Sequence, residues 1–302
     1  MRVDNARYHR KINENMSKHS PTNVISFQER LLKKGPIPLI PTPEQDAALP
    51  MMIAVSSGKG GVGKTSIAAN LGYVLSTLGK QVLIMDTDLG LGNLDVLLGI
   101  TPRFNISHVI SGEKDIGDIM VDGPGNMKIL PASSGIQALT HLTRSQMDLI
   151  NEQLLSSVAQ FDAVIIDTAA GISSNVLYFN ASAQEILVVV TPDLTAITDA
   201  YALMKVLSIQ YEVAVFRLLV NQVADAEEGR EIFNHLKLIT RQFLDVSIQY
   251  SGHILKDDHI PKGVRSQKLV SHMYPKSPAS ECFKNVAQQI WGAMSKPTRR
   301  IP

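Results

Sequence analysis

From residue 51 onward the hydrophobic residues fall into short continuous runs separated by mixed stretches of helical length. Met51-Met52-Ile53-Ala54-Val55, Val82-Leu83-Ile84-Met85-Asp86, residues 161–167, residues 185–191 and residues 215–221 are each long enough for one strand. Lys128-Ile129-Leu130-Pro131 is a shorter one. Strands apolar on both faces and spaced by helices predict a mostly parallel sheet with helices covering both sides. The expected class is α/β, one domain spanning residues 51–295. Ligands of such sheets sit beyond the carboxyl ends of the strands, which makes the acids closing two of these runs, Asp86 and Asp167, candidates for chemistry. Phe233, Leu236, Ile239 and Phe243 recur at helical spacing and predict core packing.

The two ends read differently. Residues 1–50 are polar and rich in proline, the pattern of a flexible extension. Within it residues 24–34 predict a short helix, with Ser26 as cap, Glu29 three positions on and Gly35 as stop. So short a helix is marginal alone and is expected to fold on a partner. Near the other end Phe283, Val286, Ala287, Ile290 and Met294 form a helical apolar stripe, followed by a short basic tail over residues 296–302. The stripe suits either packing on the chain's own sheet or a lipid surface.

Composition narrows the classes. With 44% hydrophobic residues the 302-residue chain can bury a sizeable core, and a net charge of +1 gives no broad basic field for nucleic acid. A single cysteine, Cys282, leaves no disulfide framework and no cysteine-based zinc site, and fits a reducing cytosol. No apolar run approaches the roughly 20 residues that span a bilayer. His235, His253, His259 and His272 have no metal-ligand spacing and read as surface or structural residues.

The strongest chemical signal follows the first strand. Ser57-Gly58-Lys59-Gly60-Gly61-Val62-Gly63-Lys64-Thr65-Ser66 places a glycine loop between a strand and the helix opening at Ile67. Glycines admit phosphate oxygens, and amides at a helix N-terminus point at them. Gly58-x4-Gly63-Lys64-Thr65 has P-loop spacing, in which the lysine reaches the β- and γ-phosphates and the hydroxyl ligates Mg²⁺. Asp167, followed by Thr168-Ala169-Ala170-Gly171, is placed to hold that ion while small residues let amides approach a γ-phosphate.

Lys59 exceeds what a generic P-loop needs. With it, residues 59–65 resemble the deviant Walker A motif of the MinD/ParA class of ATPases. The resemblance implies an ATP- and Mg²⁺-dependent homodimer in which Lys59 crosses to the partner's phosphates and joins Lys64 in catalysis. It also implies that Asp88 orients the attacking water, that Asp86, Asp167 and Thr65 serve the metal, and that Asn221 reads adenine. Asn93 and Asp95 suit turn and cap roles as well as functional ones. Residues 197–205 and 241–250 resemble the FlhG/FleN branch, regulators of flagellar number and placement. That branch implies contacts with an FlhF-type GTPase, flagellar switch (C-ring) proteins and a FleQ/FlrA-type transcription activator, and a cytoplasmic location with the inner membrane or cell pole as peripheral sites. Residues 27–33 resemble a degenerate form of the branch's GTPase-activating element, keeping Gln28 and Leu32. The alternatives are a ParA/MinD-type partitioning or division-site ATPase, which for duplex binding wants a basic surface, and a metal-handling enzyme of the same fold, which wants cysteines.

Overall fold

The sheet of the computed structural model, which describes residues 50–132 and 137–294, has eight strands. In chain order they are β1 (Met51–Ser57), β2 (Val82–Asp86), β3 (Val121–Asp122), β4 (Lys128–Leu130), β5 (Ala163–Ala170), β6 (Glu185–Val190), β7 (Val215–Val223) and β8 (Ser247–Leu255). Across the sheet the order is β3-β4-β2-β5-β1-β6-β7-β8, parallel throughout except for β3 at one edge. Every apolar run of the sequence became a strand. β5 begins two residues later than expected, because the Phe161 amide closes a turn on Val158 and the Asp162 carboxylate accepts from the Gln81 amide. β8 was not anticipated: as an edge strand it alternates buried and exposed positions and carries no continuous apolar run.

The helices are α1 (Lys64–Thr77), α2 (Leu94–Leu98), α3 (Ile106–Ile110), α4 (Ile116–Ile119), α5 (Arg144–Ser157), α6 (Ser174–Ala181), α7 (Leu194–Tyr211), α8 (Ala226–Phe243), α9 (His259–Arg265), α10 (Val270–Met273) and α11 (Pro278–Met294). They build two cores, one on each side of the sheet, and β6 shows why its sequence is apolar at every position. Leu187 and Val189 pack into the core under α1 and α11, while Ile186, Val188 and Val190 pack into the one under α6, α7 and α8. The α8 stripe is only partly core: Leu236 is fully buried and Phe233 packs against Tyr250 with ring centroids 5.1 Å apart. Phe243, expected in the core, is 57% exposed, since it lies in the last turn, where α8 runs past the sheet.

The carboxyl-terminal stripe is spent internally. Phe283, Val286, Ala287 and Ile290 lie in the core shared with α1 and β1, none more than 2% exposed. Turning it to lipid would forfeit roughly 1.5–3 kcal/mol for each large side chain already buried. Of the two readings of this helix, packing on its own sheet is the one observed. Its single tryptophan, Trp291, carries the Lys80 ammonium 4.5 Å from the ring centroid, tying α11 to the loop that ends α1. Among the described residues no helix is long and apolar enough to cross a membrane. The expected helix at 24–34, the element at 27–33 and the basic tail at 296–302 lie outside the described residues.

Candidate functional site

β1 delivers Ser57 to the carboxyl edge of the sheet, and the chain turns through Gly58–Gly63 into α1. Two glycines are required by their surroundings. A Cβ at Gly58 would run into the Asp199 carbonyl of α7, and Gly63 sits at φ 95° with the Asn221 amide against it. The turn is braced from inside by Ser57, whose Oγ donates to the Lys59 carbonyl at 2.6 Å and accepts from Lys64 Nζ at 2.8 Å. Lys64 is thus held back along the loop, 8% exposed, where burial lowers its pKa and the charges of Asp167 and Asp88 oppose that shift. Thr65 and Ser66 follow in the first turn of α1. From the far side, Asn221 Nδ2 donates to the Val62 carbonyl at 2.7 Å.

Three carboxylates gather beyond β2 and β5. Asp86 and Asp167 are neighbours in the β2/β5 register. Asp86 accepts the amides of Asp88 at 3.0 Å and Leu94 at 3.3 Å, which shapes the loop carrying Asp88. Burial and then the charge of Asp167 push the Asp86 carboxyl well above its usual range. Asp167 is raised to about 7, by burial first and with help from Asp88, while the Thr65 hydroxyl and Lys64 pull the other way. One oxygen of Asp167, Oδ1, is buried without a hydrogen-bond partner. Such a cluster lacks positive charge, and an unpartnered buried acceptor beside the Thr65 hydroxyl fits a hard divalent cation. Among the described residues no group of three His, Cys, Asp or Glu forms a dedicated metal cage, as suits Mg²⁺ held largely by phosphate and water.

Lys59 points out of the loop, onto its own chain. Its Nζ meets Asp193 Oδ2 at 2.8 Å and Thr195 Oγ1 at 2.6 Å, at the N-cap of α7. The Lys59 ammonium and then the Thr195 hydroxyl hold the Asp193 carboxyl far below the usual carboxylate range. Gly60, Gly61 and Val62 line, with Lys59, a cavity of about 570 Å³ that also reaches Gln222 and Lys256. Asn93 donates to the Leu91 carbonyl and Asp95 accepts the Val96 amide, both local turn contacts. His253 and His259 are paired with Tyr250 and Asp257 and take no part in the site. Ser57, Asp193 and Thr195 escaped the sequence reading. Asp193 and Thr195 carry a local signal, an N-cap before an apolar helix, but nothing local links them to a lysine 134 residues earlier.

A glycine loop between strand and helix, a buried lysine behind it and carboxylates at the ends of neighbouring parallel strands define a P-loop ATPase of the doubly wound type. Residues 51–215 match the family model described as an AAA domain. The chain is 43% identical to the antiactivator FleN of Pseudomonas aeruginosa over 79% of its own length and 85% of that protein's. It is 32% identical to the flagellum site-determining protein YlxH of Helicobacter pylori, covering 83% and 85%. Its fold matches the septum site-determining protein MinD of Pyrococcus horikoshii, solved with Mg-ADP, with a TM-score of 0.69 at 22% identity, covering 84% and 100%. The chain belongs to this AAA family, in the FleN/FlhG branch of its MinD/ParA-type ATPases.

Proposed function

We propose that the chain is an ATP-driven dimerising switch that sets flagellar number and placement and restrains flagellar gene expression. The observation that carries the switch is the division of labour between two lysines of one loop. Lys64 is buried and fixed on Ser57, suited to bind phosphate in a single subunit, whereas Lys59 is exposed and its contacts with Asp193 and Thr195 are replaceable. Lys59 leaves these contacts for the nucleotide of a second copy, and Leu91 and Ile172, 72% and 52% exposed beside the carboxylates, are covered there. Magnesium bound to the triphosphate supplies charge neutralisation at the β- and γ-oxygens. Thr65, Asp86 and Asp167 hold its coordination shell, Lys64 and the loop amides Gly60–Ser66 hold the phosphates, and Asp88 orients the attacking water. Loss of the contacts made only in the closed dimer lets the subunits part.

The flagellar reading is supported by the printed roles of the two flagellar relatives, an antiactivator and a site-determining protein. The proposed partners are an FlhF-type GTPase, C-ring proteins and a FleQ/FlrA-type activator. The test has two arms. In light scattering, wild type should double its mass with a non-hydrolysable triphosphate but not with ADP, and Lys59→Ala should stay monomeric while still binding nucleotide. A deletion strain should carry an altered number of flagella, restored by wild type and not by Lys59→Ala. A mass indifferent to nucleotide removes the switch, and a normal flagellar count removes the flagellar role.

A further inference from the structure

The residue expected to read the base is already occupied. Asn221 is 6% exposed; its Nδ2 is given to the Val62 carbonyl at 2.7 Å and its Oδ1 accepts the Gln222 amide at 2.9 Å. Both ends of its amide brace the phosphate loop, and turning them to a ligand would leave a buried carbonyl without its donor. The next residue has the opposite character. Gln222 sits at φ 61°, in the left-handed region, where the β7/β8 register slips between Asn221 and Val223. A glutamine held there is backbone strain kept at the carboxyl end of a strand, where function is the usual reason. The slip exposes its side chain into the 570 Å³ cavity that shares Lys59–Val62 with the phosphate loop. No hydrogen bond holds its side-chain amide among the described residues.

The other polar groups of that cavity are poorer base readers. Glu228 Oε2 accepts the Ala224 amide at 2.6 Å, and Lys256 offers only donors. Gln222 supplies the one side-chain amide on the cavity wall, with a donor and an acceptor side by side, the pattern that the N1 and 6-amino edge of adenine complements. We propose that Gln222 is the base-contacting residue of this ATP site, presented by the bulge in β7, and that Asn221 is the positioning residue that holds the loop beneath the phosphates. This rests on the ATP-site reading above.

The test compares two ligands on the full chain by calorimetry: ATP, and purine riboside 5′-triphosphate, which lacks the 6-amino group. Gln222→Ala should weaken ATP by about fivefold, the worth of one net hydrogen bond, and leave the purine riboside ligand nearly unchanged. Gln222→Gly, which loses the amide while relieving the backbone, should do the same, so a folding defect cannot mimic the result. Asn221→Ala should weaken both ligands alike. Gln222 variants that keep full ATP affinity, or that weaken both ligands equally, overturn the assignment. A wild-type chain that binds neither ligand overturns the ATP site itself, a result distinct from failure of Gln222 alone.

Discussion

Lys64 and Lys59 are five residues apart in one loop and obey different physics. Lys64 lies on the floor, desolvated, fixed by Ser57 and facing Asp167 and Asp88. Its position is set before any ligand arrives, so binding wastes little on ordering it. Lys59 lies on the rim, its side chain 37% exposed, paired with an aspartate 48% exposed. An ion pair in that setting is worth at most about 1 kcal/mol, weak enough to be exchanged for a stronger partner. A fixed cation makes a binding site, and an exchangeable one makes a switch.

The contrast breaks first at the floor. Lys64→Ala should reduce ATP affinity by roughly 100-fold in calorimetry, since it removes a buried charge from the phosphates. Binding kept within about tenfold would mean that the floor is not where phosphate sits. Next in size, Asp88→Ala should keep ATP binding, slow phosphate release about 100-fold and accumulate the dimer in light scattering. An ATP-loaded monomer of this variant would contradict the role of Asp88. A smaller effect belongs to the rim: Asp193→Asn keeps the cap on Thr195 and Ala196 but removes the charge that detains Lys59. Its dimer should form at about two- to fivefold lower protein concentration with ATP, and added salt should shrink the difference; a variant that dimerises less readily than wild type would show that Asp193 serves the closed state instead.

The smallest effect is a control away from the loop. Burial alone would raise the Asp257 carboxyl, but the amides of His259 and Ala279 and the His259 ring outweigh it and hold it at about 2. A depressed carboxylate stabilises the fold above its unfolded value, near 4, and loses that contribution as pH falls toward 2. The urea midpoint should therefore drop across that window, less so in Asp257→Asn, with ATP affinity of the variant at neutral pH unchanged.

The division between floor and rim also marks what could be read beforehand. The strands, the glycine loop, Lys64, Asp86 and Asp167 were legible because continuous apolar runs and P-loop spacing are local patterns. Contacts over long separations were not. Asp193 meets Lys59 across 134 residues and Asn221 meets Val62 across 159, and neither has a spacing to reveal it. β8 was missed for another reason, its half-exposed alternation, and Phe243 because helical spacing says which residues share a face but not where the face runs past the sheet. The ambiguity of the carboxyl-terminal stripe was of the same kind, since a sheet and a lipid surface want the same pattern.

Trp291 makes the molecule its own instrument. It is the chain's sole indole, and the ammonium stacked on it belongs to Lys80, three residues beyond the helix whose other end is Lys64. A cation against an indole alters its emission, so a small axial shift of α1 when the phosphate loop fills changes the light given off some four turns away. Closing and opening can thus be followed in unlabelled protein, in real time, by fluorescence alone.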